Sequence, residues 1–252
     1  MLKNRLVISK NSRLQTDSID IWAADVDRSG IEIQHYAGLL SDEESARSAK
    51  FRATRHRKCY IVRHGILREL LSAYLSCRPS ELKIFTDSKG KPYVVDSVLE
   101  TPLQFSMSHS AGLAVFAFSR SAAIGVDIER IFGFPELREI ASQHFTPAEI
   151  KEVDCCPESN RVEVFFKLWA RKEAVLKANG EGLALPLRCV DVSTQITDVG
   201  TWSVLVEGDI TGREYQLTDV IVAPGFATAV AVCSNGKNFT VAYRRYNSVE
   251  WA

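Results

Sequence analysis

The stretch Ile124-Gly-Val-Asp-Ile-Glu129, with the segment Phe165-Phe-Lys-Leu-Trp-Ala-Arg-Lys-Glu-Ala-Val-Leu-Lys-Ala178 that follows it, sets the fold of the second half of this chain. The first piece alternates in a strand pattern. Ile124, Val126 and Ile128 share one face, and Asp127 and Glu129 share the other. The second piece repeats at helical spacing, with Phe165, Leu168, Trp169, Val175 and Leu176 on a buried face and a stop before Gly180. Between them Thr146 begins another helix, with Pro147 at its first position and Glu149 three residues after the cap. Strands are expected in WSVLVEG and in YQLTDVIVAPGFATAVAVCS, bent at Gly225.

Working back toward the N-terminus, the same order recurs. A strand is expected over Ile19–Asp27, a capped helix start at Ser41 with Glu44, and a helix from about Lys58 to Leu75. A short strand (LKIF), the turn SKGKPY and a strand pair in QFSMSHSAGLAVFAFS, bent at Gly112, complete it. The fold expected is α+β, built as a pseudo-dimer of two similar α+β subdomains, 1–120 and 121–252, with a ligand cleft between them.

Asp127 and Glu129 on one strand face suit a hard divalent cation, because magnesium takes oxygen ligands and shares them with substrate phosphates. Glu173 and Lys177 are four apart at the margin of the apolar helix face. A carboxylate at that margin needs a partner or a metal, and three carboxylates would then converge on one cation. His109 lies in the strand segment SMSHS beside Ser108 and Ser110, whose hydroxyls are donors for an anion. The run Arg47–Arg68 holds eight Lys and Arg and no acidic residue. In a chain with 31 basic and 31 acidic residues, so local a concentration fits a polyphosphate substrate. Zero net charge argues against a nucleic-acid partner. The longest apolar stretch, Val220–Val232, is interrupted by Pro224 and Gly225 and falls short of the ~20 residues a membrane helix needs. The N-terminus lacks a signal-peptide core, and the six cysteines form no C-x-x-C pair, which together point to a cytoplasmic protein with reduced thiols.

SKGKPY, SMSHS, IGVDIER, FTPAEI and FFKLWARKEAVLKANGEGL, in that order over about residues 41–190, resemble the 4′-phosphopantetheinyl transferase superfamily, in its longer, surfactin-synthetase-activating class. The resemblance implies coenzyme A bound between two subdomains, magnesium as cofactor, and an apo carrier protein (acyl or peptidyl) as acceptor. Asp127, Glu129 and Glu173 match the family's acidic residues around magnesium and the diphosphate, and Lys177 matches a lysine on the phosphates. Ser108 and His109 match coenzyme A contacts; Lys91 and Pro92 match the adenine-side turn. For the 3′-phosphate, Arg57, Lys58 and Arg63 stand as alternatives, with Arg47 and Arg52 after them. The implied reaction is attack of the carrier serine on the β-phosphate, with Glu173 as proton acceptor, directly or through a water. Lys177 would stabilise the departing 3′,5′-adenosine bisphosphate. The segment with Phe132, Phe134, Leu137 and Arg138 is the expected carrier contact. The competing classes are another magnesium-dependent phosphohydrolase or nuclease, and a non-catalytic coenzyme A-binding module.

Overall fold

A computed structural model describes residues 14–95, 102–180, 185–193, 201–205 and 212–246. The end of the quoted motif, 181–183, and the end of the WSVLVEG strand, 206–208, lie outside the described residues. The first half runs β1 (Ser18–Asp25), α1 (Ile33–Ala37), α2 (Asp42–Ala49), α3 (Thr54–Leu75), β2 (Ile84–Thr86), β3 (Pro92–Val94), β4 (Gln104–Ser110) and β5 (Leu113–Ser119). The second runs β6 (Ile124–Arg130), α4 (Leu137–His144), α5 (Pro147–Cys155), α6 (Arg161–Asn179), β7 (Thr201–Leu205), β8 (Glu214–Asp219), β9 (Phe226–Cys233) and β10 (Thr240–Arg245).

Both helix starts read from the sequence carry reciprocal capping boxes, Ser41 with Glu44 and Thr146 with Glu149. The two hairpin bends are also where the glycines put them. Gly112 has φ +90° between β4 and β5, and Gly225 has φ +77° before β9.

One four-stranded sheet has the order β10-β1-β5-β4 and the other β6-β9-β8-β7; β2 and β3 form a separate hairpin. Pairing is antiparallel except between β1 and β10. The orders β1-β5-β4 and β6-β9-β8 are the same path drawn twice. The division after residue 120 fails for the last strand, however. β10 leaves the second half and adds to β1, in register Ser18 with Thr240 through Ala23 with Arg245. Its alternating, half-exposed TVAYRR sequence suits an edge position, where only one side of the strand needs a partner.

Three apolar clusters fill the layers. Trp22, Ile66, Leu70 and Phe116 pack between the first sheet and α3. Ile21, Val115, Ile124, Val126, Ile128 and Val230 pack between the sheets. Leu168, Ala174, Val175 and Ala229 pack between the second sheet and α6. The alternation of β6 thus buries both of its faces, one on the first sheet and the other, with Asp127, under α6.

Candidate functional site

Gly125 decides how closely α6 lies on β6. A Cβ built there would fall 2.0 Å from the carbonyl oxygen of Ala174 and 2.4 Å from the amide nitrogen of Ala178. Only glycine admits a helix backbone at that distance. The helix is thereby seated with Glu173 and Lys177 beside Asp127. Lys177 Nζ donates to Asp127 Oδ1 at 2.6 Å and to the Val126 carbonyl at 3.2 Å. Lys177, four residues from Glu173 on α6, thus makes its ion pair across the helix–strand contact with Asp127.

The carboxylates are held from the other side by β4. Ser108 Oγ donates to Asp127 Oδ1 at 2.7 Å, and Ser110 Oγ donates to Glu129 Oε2 at 3.1 Å. Asp127 is 3% exposed, and its second oxygen, Oδ2, is buried without a hydrogen-bond partner. Burial, then the Asp127 charge, pushes the Glu129 carboxyl up to about 7. Burial and Asp127 likewise raise Glu173, with Lys177 acting against them. Asp127 is thus a negative neighbour that biases both Glu129 and Glu173 toward their neutral forms, and Lys177 offsets it in part. Among the described residues no three His, Cys, Asp or Glu side chains are gathered closely enough to hold a metal ion by themselves.

A cavity of about 840 Å³ opens in front of Glu173 and Lys177. Its wall takes residues from both halves: Tyr60, Arg63 and His64 of α3, Lys91 and Pro92 of the hairpin turn, Met107 and His109 of β4, and Leu176 of α6. Surrounding protein, then the charges of Arg63 and Lys177, press the His109 imidazole down to about 4, so its ring enters the cavity neutral. Arg63 lines the cavity with its guanidinium carbon 5.0 Å from the Tyr60 ring centroid, and its Nε is buried without a hydrogen-bond partner.

Of the residues expected at the site, Glu173, Lys177, His109, Lys91, Pro92 and Arg63 line this cavity. Arg57 and Lys58 do not. Six and five residues before Arg63 on a helix turning about 100° per residue, they fall on other faces. Lys58 Nζ donates instead to the carbonyls of Asp27 and Arg28, at 3.2 and 3.0 Å, and Arg57 is exposed. Ser108 is spent on Asp127 rather than on the cavity. Lys91 lines the cavity with its stem, but its ammonium caps α6, donating to the carbonyls of Lys177 at 2.7 Å and Ala178 at 3.4 Å. The segment after β6 is half core. Phe134 packs on Phe165 and Phe166, Leu137 is 6% exposed, and Arg138 faces Asp154, leaving Phe132 outward at 56% exposure.

Several wall residues escaped the sequence. Glu44, expected only as a cap, also accepts from Arg68 Nε at 2.6 Å and faces His64 at 3.4 Å, and all three line the cavity with Arg47. The spacing of His64 and Arg68, four apart on α3, was the available signal. His144, at the end of α4, and Leu185, Pro186 and Leu187, outside any long periodic segment, also line the cavity.

Comparison with known proteins identifies the family. Residues 27–121 match the family described as 4′-phosphopantetheinyl transferase, N-terminal, and residues 123–232 match the 4′-phosphopantetheinyl transferase superfamily. The chain is 34% identical over 226 residues to 4′-phosphopantetheinyl transferase HetI of Nostoc sp., covering 90% of this chain and 92% of that protein. It is 27% identical to 4′-phosphopantetheinyl transferase Sfp of Bacillus subtilis over 62% of this chain and 67% of the relative. To the mouse L-aminoadipate-semialdehyde dehydrogenase-phosphopantetheinyl transferase it is 29% identical, over 64% of this chain and 55% of the relative. With matches spanning both halves and this degree of identity along nearly its whole length, the chain belongs to the 4′-phosphopantetheinyl transferase superfamily.

Proposed function

We propose that this protein moves the 4′-phosphopantetheine group of coenzyme A onto a serine of an apo acyl or peptidyl carrier protein in the cytoplasm, releasing 3′,5′-adenosine bisphosphate. One observation carries the proposal: Glu173 and Lys177 of α6 share a single cavity wall with Arg63 and His109 of the other half, immediately beside buried Asp127. The repeated strand path β1-β5-β4 and β6-β9-β8 supports a pseudo-dimer with coenzyme A between its halves. The halves are 1–120 and 121–252, with the last strand returned to the first.

Asp127, Glu129 and Glu173 would hold magnesium. The unpartnered Oδ2 of Asp127 and the raised Glu129 fit a missing positive charge. An incomplete protein cage also fits, since magnesium is usually held by one or two carboxylates together with substrate phosphates and water. When bound, the ion would offset the charge of the diphosphate during transfer.

The rest is done by the chain's own groups. Arg63, a guanidinium on the cavity wall, supplies the positive charge for the 3′-phosphate. Neutral His109 can donate one ring N–H to a phosphate oxygen. The serine oxygen forms the new bond to the β-phosphorus as the bond to the bridging oxygen breaks. The serine proton passes to Glu173, whose raised carboxyl is a stronger base than an exposed one. Lys177, fixed by Asp127, meets the charge left on the departing bisphosphate. Phe132 offers an exposed aromatic contact to the carrier.

Release of 3′,5′-adenosine bisphosphate from coenzyme A, followed with and without an apo carrier, tests the proposal. Release that requires the carrier supports it. Equal release without carrier would instead indicate a phosphohydrolase.

A further inference from the structure

β4 and β6 are edge strands of different sheets, and they meet through side chains. Ser106, Ser108 and Ser110 lie at every second position of β4 and so on one face. Each is bonded to β6. The Val126 N–H donates to Ser106 Oγ at 3.1 Å, Ser108 Oγ donates to Asp127 at 2.7 Å, and Ser110 Oγ donates to Glu129 at 3.1 Å while accepting the Arg130 N–H at 3.1 Å. The ladder joins the two halves at the strand that carries the carboxylates.

A hydroxyl is a neutral donor. It fixes a carboxylate rotamer without cancelling its charge, as a lysine or arginine would. Ser110 engages only Oε2 of Glu129. Ser108 and Lys177 both engage the same oxygen of Asp127, Oδ1, which leaves Oδ2 open and buried. Ser110 is itself anchored by the Arg130 N–H, so its hydroxyl hydrogen is directed at Glu129.

We propose that the serine ladder of β4 is a positioning device for the cation site, with Ser110 setting Glu129 and Ser108 setting Asp127 so that one oxygen of each faces a divalent cation. The proposal rests on the transferase reading above and gives Ser110 a role that the sequence did not suggest. It also gives Ser108 a role toward Asp127 in place of direct contact with coenzyme A.

Manganese binding to the full-length protein in the presence of coenzyme A, measured by electron paramagnetic resonance, reads the site without turnover. Partners that orient metal ligands typically contribute 10–100-fold to metal affinity. Ser110→Ala should therefore weaken Mn²⁺ binding by about 10-fold or more, and should raise the Mg²⁺ concentration for half-maximal transfer in step. Its KM for coenzyme A at saturating Mg²⁺ should stay unchanged. Ser110→Thr, which keeps a hydroxyl on a β-branched residue suited to a strand, should restore both. Ser108→Ala should act in the same direction through Asp127. Mn²⁺ affinity in Ser110→Ala and Ser108→Ala equal to the unmodified protein would overturn the proposal. So would a loss in Ser110→Ala that Ser110→Thr, folded to the same melting temperature as the unmodified protein, fails to recover. Absence of Mn²⁺ binding by the unmodified protein would overturn the cation site itself, and the two failures are thereby told apart.

Discussion

Lys177 Nζ stands 2.6 Å from Asp127 Oδ1, and Gly125, two residues before Asp127 on the same strand, is what lets the helix approach that closely. The glycine has no role in the chemistry, yet it fixes the distance at which the chemistry is assembled. Helix α6 brings a base candidate and a cation; strand β6 brings the buried carboxylate; and the missing Cβ sets their separation.

Gly125→Ala should therefore damage activity beyond its effect on stability. The added carbon meets backbone atoms of Ala174 and Ala178, which cannot rotate away. Overpacking of this kind costs about 1–3 kcal/mol, and the helix must shift to relieve it. A displacement near 1 Å can cost ~10²-fold in rate. Transfer assays at a temperature where circular dichroism shows the variant folded would separate the two effects. Turnover within a few-fold of the unmodified protein would mean that the close approach is unimportant to the site.

Arg63 and Lys58 test which face of α3 meets the substrate. Arg63→Ala should weaken coenzyme A binding by ~10- to 150-fold, the worth of a charge-assisted contact of roughly 1.5–3 kcal/mol. It should also erase most discrimination against 3′-dephospho-coenzyme A. Lys58→Ala should leave both unchanged, since its ammonium is spent on the Asp27 and Arg28 carbonyls. Calorimetry with the two nucleotides checks this. The reverse pattern would move the 3′-phosphate to the other face of the helix.

Phe132 should matter to the carrier and not to coenzyme A. It is 56% exposed and rests on Phe166 at a centroid distance of 5.3 Å. Phe132→Ala should raise the KM for the carrier several-fold, by loss of a buried aromatic contact of ~1–2 kcal/mol, and leave the KM for coenzyme A alone. Steady-state kinetics with each substrate varied in turn would decide it; an unchanged carrier KM removes Phe132 from that surface.

Acid should loosen the first half of the molecule through Glu44. Burial opposes its charge, but hydrogen bonds from His64, Ser41 and Arg68 prevail and bring its carboxyl down to about 2 from 4.5. A carboxyl lowered by folding contributes stability that is present above its unfolded value and is lost as pH falls toward its folded one. The window is therefore about pH 4.5 down to about 2, and the contribution at stake is at most about 3 kcal/mol. Burial also lowers His64 from 6.5, so the fold favours neutral imidazole and that share of stability is lost as pH falls below 6.5. Urea unfolding from pH 7 to 3 should show the decline. Glu44→Gln should flatten it below pH 4.5; an unaltered slope would place the acid sensitivity elsewhere.

Much of this was legible in the sequence because the signals are local. Alternation in Ile124–Glu129 separated an apolar face from Asp127 and Glu129, and capping chemistry at Ser41 and Thr146 placed two helix starts. The losses come where one side chain serves a distant element. Glu149 reads as a cap, but it is fully buried and forms a 2.5 Å ion pair with fully buried Lys172, while the Val192 N–H takes its other oxygen. Lys91, which the family resemblance puts on the adenine-side turn, lines the cavity, but the helix cap that its ammonium makes 86 residues away has no local signal. Arg57, Lys58 and Arg63 form one basic run in sequence, and only helical phase distributes them to different faces. The return of β10 to β1 has no local signature, because a parallel edge pairing asks only for a half-buried strand.

The intact mass of an apo acyl carrier protein, after incubation with coenzyme A, magnesium and this protein, bears most directly on the whole account. With the unmodified protein the carrier should gain one phosphopantetheine. Glu173→Gln, which keeps the size of the side chain but cannot accept the serine proton, should still bind coenzyme A and should slow the gain by about 10²–10⁴-fold. A carrier of unchanged mass with the unmodified protein, or a Glu173→Gln variant as fast as it, would contradict the assignment.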